Sequence, residues 1–153
     1  MQNTLSRNME RLEELYDLAI ENGIPIDESC PEKIISMSVR LPNGMKIVSL
    51  SKEQPQFTHI ESLAHEMGHC MTDSFYLGCS PLELRSKHEY RANKWATDYL
   101  IPFSMLCEAV KNGCRELWQL AEYFDVSSAF IEKAIQIHAT RGYTVPTNYY
   151  NDI

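Results

Sequence analysis

The chain has 153 residues, ordinary apolar content for a globular protein and a formal net charge of −7. That length allows one domain with a real core, and the acidic balance argues against non-specific nucleic-acid binding, which needs a basic surface. Five cysteines without a CxxC pair disfavour a zinc ribbon or a disulfide scaffold, and no apolar run is long enough to span a bilayer.

The first stretch, "MQNTLSRNMERLEELYDLAI", interrupts its apolar residues with charges. Met9, Leu12, Leu15, Tyr16 and Ala19 follow helical spacing, so it predicts an amphipathic helix rather than a signal peptide, with the cytoplasm as default compartment. Gly23 and Pro25 end that helix. In "IISMSVRLPNGMKIVSL", Ile35, Met37, Val39 and Leu41 alternate with Ser36, Ser38 and Arg40. Pro42-Asn43-Gly44 is a turn signal, and Met45, Ile47 and Val48 resume the apolar pattern, which predicts a β-hairpin with one strand at an edge.

Thr58 to Glu61 fits a capping box that opens a helix carrying Ile60, Leu63, Ala64 and Met67 on its apolar side. Ser80-Pro81-Leu82-Glu83 offers a second N-cap, with proline at the first helical position and an acid at the third. That helix should run to about Leu100 and stop before Pro102. Three short helices follow, with breaks near Gly113 and Asp125–Ser127 and apolar faces built from Leu117, Leu120, Ala121, Phe124, Val126, Phe130, Ile131 and Ile135. The tail, "YTVPTNYYNDI", has no helical period and reads as loose or as a docked strap. The expected fold class is α+β: mostly helical, with a small antiparallel β-hairpin or sheet before the second helix and a C-terminal helical segment. The expected organisation is a single domain, 1–153, with a core over 1–112, a helical subdomain over 113–140 and a tail over 141–153. "LAEYFDVSSAFIEKAI" has a helix-turn-helix cadence, but its few basic residues favour a packing subdomain over a DNA reader.

The second predicted helix contains "SLAHEMGHCMT", in which His65, Glu66 and His69 form His-Glu-x-x-His. At about 100° per residue, His65 and His69 lie about 40° apart and Glu66 about 60° beyond His69, so all three can face one cleft. Such a pair can hold a catalytic zinc with the glutamate as its base, and the motif is short enough to be three ordinary surface residues. A catalytic zinc needs a third protein ligand and an open position for water. Thr72 and Phe75 stand where a metzincin has glycine and histidine, which excludes that class. Glu89, on the next predicted helix, can return antiparallel to the histidines, with Ala92 and Ala96 on its side to permit close approach. Asn93, one turn on, can bond the free N–H of a ligand histidine. Cys70, Asp73, His88 and Asp98 compete for the ligand role. A solvated Glu89 paired with Arg85 accounts for the spacing equally well.

"HEMGH" followed by "EYRANKWATDYLIP" resembles the ImmA/IrrE family of metallopeptidases, with Glu89, Ala92, Asn93, Trp95, Ala96, Leu100, Ile101 and Pro102 matching in order. The hairpin before the motif and "LWQLAEYFDVSSAFIEKAI" are also similar to that family, so the resemblance covers about Leu12 to Ile137. It implies a zincin-like core and a gluzincin-like site: one Zn2+ held by His65, His69 and Glu89, with Glu66 as the catalytic carboxylate. Some members act on helix-turn-helix repressors of mobile elements or prophages. The implied function is therefore a regulatory zinc endopeptidase with a protein substrate of that kind, and with neither nucleic acid nor membrane as a direct partner. The alternative is a non-catalytic, zinc-containing module that antagonises a repressor by docking. Peptide hydrolysis also needs a donor for the oxyanion, for which Tyr99, Tyr76, His88, His59 and Tyr143 are the candidates. A hairpin edge near Val39 or Ile47 suits an extended substrate strand.

Overall fold

The structure, a computed structural model, describes residues 2–29 and 34–144. In chain order it contains α1 (Gln2–Glu21), β1 (Ile26–Asp27), β2 (Ser36–Arg40), β3 (Lys46–Leu50), α2 (Gln56–Met71), α3 (Leu82–Leu100), α4 (Phe103–Lys111), α5 (Leu117–Phe124) and α6 (Ser128–Thr140). This is the α+β architecture expected, with helix ends near Gly23, Pro102, Gly113 and Asp125 as the punctuation residues dictate. Residues 145–153 of the tail lie outside the described residues.

The helix starts differ from the expected capping boxes. Pro55, Pro81 and Pro102 occupy the N-caps of α2, α3 and α4, with φ of −55°, −54° and −54° and ψ of 148°, 143° and 140°. A locked φ and an extended ψ deliver the chain into the first turn without a side-chain cap. Thr58 therefore lies inside α2, and Ser80 accepts the Leu77 N–H in the preceding loop. Glu61 caps a different helix: its carboxylate accepts from the Ser127 N–H and hydroxyl, and Ser127 in turn accepts the Phe130 N–H at the start of α6. Burial raises the Glu61 pKa, and the Ser127 bonds and Lys133 oppose that rise.

The sheet has the order β1-β3-β2. β2 and β3 form the expected hairpin, with Arg40 opposite Lys46 and a turn closed by the Leu41 N–H on the Met45 carbonyl at 2.8 Å. Gly44 sits at φ +85°, where a side chain would be strained. β1 was not anticipated; two residues, Ile26 and Asp27, pair parallel to β3 and carry little pattern. β3 is consequently central and β2 is an edge, so Ile47 is on no free edge. The alternation along β2 faces opposite to hydrophobic expectation. Ser36 and Ser38 share a face with the buried Leu50 and Val48, while Ile35 and Met37 are exposed. The serines are turned inward because a buried carboxylate on α2 takes their hydroxyls.

α2 and α3 pack closely at the centre of the molecule. A Cβ on Gly68 would lie 2.4 Å from the Ala92 carbonyl oxygen, so the glycine of His-Glu-Met-Gly-His sets how near α3 can come. Leu15, Val48, Leu63, Leu100, Leu106 and Ile135 are among the residues of one buried apolar cluster fed by α1, β3 and all the later helices.

Candidate metal centre

α2 presents His65 and His69 one turn apart toward α3, and α3 presents Glu89 back to them. The two Nε2 atoms are 3.2 Å apart, His65 Nε2 is 3.3 Å from Glu89 Oε2, and His69 Nε2 is 3.2 Å from Glu89 Oε1. Each histidine is oriented through its other nitrogen. His69 Nδ1 lies 2.7 Å from the Ser74 carbonyl oxygen, which can only accept, so Nδ1 carries a proton and Nε2 is the nitrogen turned to Glu89. His65 Nδ1 lies 3.1 Å from Asn93 Oδ1. The Lys133 ammonium, which can only donate, also reaches that atom at 3.3 Å, which agrees with an amide oxygen there and a proton on His65 Nδ1.

These are the tautomers that metal ligation requires. Two donors on a tetrahedral ion with bonds of about 2.0–2.1 Å lie roughly 3.3 Å apart, so the three atoms fit a cation of that kind. The surrounding electrostatics agree. Hydrogen bonds from His65 and His69 hold the Glu89 carboxyl far below the usual range against its partial burial, with the Tyr76 hydroxyl adding a 2.6 Å bond to Oε1. Burial disfavours a charged His69, but Glu89 and the Ser74 carbonyl outweigh it and raise its pKa.

Glu66 is buried and has separate partners. The Ser36 hydroxyl donates to Oε1 at 2.8 Å and the Ser38 hydroxyl to Oε2 at 2.6 Å. Glu66, the three metal-facing residues, both serines and Tyr76 line one cavity of about 290 Å³.

The competing ligands are all placed elsewhere. Asp73 pairs with Arg40 at 2.8 Å, and Asp98 pairs with Arg141. Cys70 is buried and does not join the cluster of His65, His69 and Glu89. Arg85 leaves Glu89 alone and sits over the Tyr76 ring at 5.5 Å. Among the oxyanion candidates, Tyr76 is brought to the cavity. Tyr99 stacks on Trp95 and reaches Glu14 of α1, His88 lies 6.3 Å from the Tyr76 ring without lining the cavity, His59 bonds Tyr16, and Tyr143 stacks on Phe103. Ser36, Ser38 and Ser74 were not singled out from the sequence. The alternating serines of β2 were visible but looked like a solvent face, and Ser74 reaches His69 only because Asp73 adopts φ +50° after α2.

The Peptidase_M78 model, described as the IrrE N-terminal-like domain, matches residues 23–136. The chain belongs to the IrrE N-terminal-like family. The matched span of this IrrE-like chain holds the whole sheet, the motif helix and α3, so the family match and the converging side chains coincide. Membership carries a peptidase-type function with a protein substrate and implies a metal, for which His65, His69 and Glu89 form the candidate cluster among the described residues. No curated protein and no solved structure matches the chain. No helix of the described residues is long and apolar enough to cross a membrane.

Proposed function

We propose that this IrrE-like protein is a cytoplasmic, zinc-dependent regulatory endopeptidase. The family resemblance points to a helix-turn-helix repressor of a mobile element or prophage as its substrate. The observation that carries the peptidase reading is the convergence of the His65, His69 and Glu89 donor atoms in the cavity that also holds Glu66.

When bound by those three residues, zinc supplies Lewis acidity toward a water and a peptide carbonyl. Asn93 and the Ser74 carbonyl hold the imidazoles by Nδ1, so that Nε2 would be the atom offered to the metal. Glu66 accepts the proton of the attacking water and returns it to the leaving amine, while Ser36 and Ser38 fix its rotamer. The Tyr76 hydroxyl lines the cavity and would serve the oxyanion by turning there the proton it gives to Glu89 in this structure. Along β2, Ile35 and Leu41 spend backbone groups on β3. By the antiparallel alternation, Ser36, Ser38 and Arg40 point theirs to the open edge, where an extended substrate can pair.

The test has two parts. Zinc per chain is measured for wild type and Glu89→Ala; near-stoichiometric metal that falls sharply in the variant is expected. Hydrolysis is then measured for Glu66→Gln, which should keep its metal and lose a factor of about 10²–10⁴ in rate. Full activity in metal-loaded Glu66→Gln sinks the mechanism. A metal-loaded wild type that binds a repressor and cuts nothing gives the docking alternative.

A further inference from the structure

Beyond the metal cavity, α3 and α6 enclose a larger cleft of about 520 Å³. It shares Tyr76 and Glu89 with the cavity that holds Glu66, so the two adjoin at those residues. Its walls are apolar in part: Leu82 and Tyr90 stand exposed and Ile137 closes the floor. Two cations, Arg85 of α3 and Lys133 of α6, also line it. Neither forms an ion pair within 4.0 Å among the described residues. Arg85 rests on the Tyr76 ring, and Lys133 is held at 3.3 Å by the neutral Asn93 amide. The one carboxylate lining the cleft, Glu89, is occupied by His65, His69 and Tyr76. Glu61 acts on Lys133 only at longer range.

Arg85 and Lys133, each with only neutral hydrogen-bond partners, are two cations without a carboxylate partner lining one cleft in a chain of net charge −7. An anion complements them, and an extended peptide running through the adjoining cavity brings one as an acidic side chain. We propose that the α3–α6 cleft is a specificity subsite that selects substrates with aspartate or glutamate beside the scissile bond, Arg85 and Lys133 being the residues that read the charge. This rests on the peptidase reading above.

The experiment uses zinc-loaded full-length wild type, Arg85→Glu and Lys133→Glu on a synthetic peptide mixture containing every residue pair, with cleavage sites read by mass spectrometry. The wild type should enrich an acidic residue at a position flanking the cut. Zinc per chain is measured for each variant, and in metal-loaded form each should lower the ratio of acid-bearing to matched lysine peptides cleaved by about tenfold or more. Cleavage without acid preference, or with a preference that survives in both variants, overturns the subsite and leaves the peptidase standing. If the loaded wild type cuts nothing, the peptidase reading fails by itself. Labelled aspartate and lysine versions of one peptide are then titrated. Tighter binding of the aspartate peptide that reverses in Lys133→Glu supports the anion-selective cleft; equal binding overturns it.

Discussion

Glu66 and Glu89 lie on neighbouring helices and line the same cavity, yet their partners differ in kind. Glu89 accepts from two imidazole nitrogens and a phenol, which keeps it charged and directed at the point where the donors meet. Glu66 accepts from two serine hydroxyls and forms no ion pair within 4.0 Å among the described residues. On the proposed mechanism, the serines act through Glu66 by limiting its rotamers. Ser36→Ala combined with Ser38→Ala is expected to leave zinc content unchanged and lower kcat by on the order of tenfold, with little change in KM. Steady-state kinetics alongside metal analysis checks this. An unchanged kcat would show that α2 alone positions the carboxylate.

At the scale of elements, the α2–α3 contact sets the distance between Glu89 and the two histidines. Ala92 lies one turn beyond Glu89, and its backbone is what a methyl group on Gly68 would strike at 2.4 Å. Backbone cannot rotate away as a long side chain can, so the helices must separate. Gly68→Ala should cost about 1–3 kcal/mol of stability by overpacking, despite alanine's better helix propensity. The same displacement should withdraw Glu89 and weaken zinc binding. Thermal unfolding with a zinc titration tests both; a variant as stable and as metal-competent as wild type contradicts the close contact.

For the whole molecule, the C-terminal helices share one core with α2 and α3. Leu120, Phe124, Ile131 and Ile135 belong to the same cluster as Leu63 and Met67 of the motif helix. Polar ties reinforce it: Glu61 caps α6, Lys133 reaches Asn93, and the His138 Nε2–H donates to the Ile101 carbonyl at 2.9 Å. The helix-turn-helix cadence is therefore spent largely on burial. One unfolding transition is expected for the metal-loaded chain, and a fragment ending at residue 112 should fail to fold cooperatively, because its share of the cluster would face water. Calorimetry with limited proteolysis of the fragment reads this out, and two separable transitions would contradict it.

Local chemistry is legible in the sequence wherever a feature depends on residues close in the chain. The α3 to α6 boundaries, the Asn-Gly hairpin and the shared face of His65, Glu66 and His69 follow from periodicity, proline and glycine, all of which act over a few bonds. The matching of Glu89 and Asn93 to the histidines came from a longer pattern, since spacing alone left Arg85 as an equal partner. Tertiary structure decided the rest, and the reason is the same in each case: a polar group takes whichever partner burial brings to it. Glu61 leaves its own helix to cap α6, Ser80 serves the loop before α3, and Ser36 and Ser38 turn inward to Glu66 against the hydrophobic alternation of β2. The cleft lined by Arg85 and Lys133 belongs with these, because those residues stand far apart in the chain and meet only where α6 packs on α3.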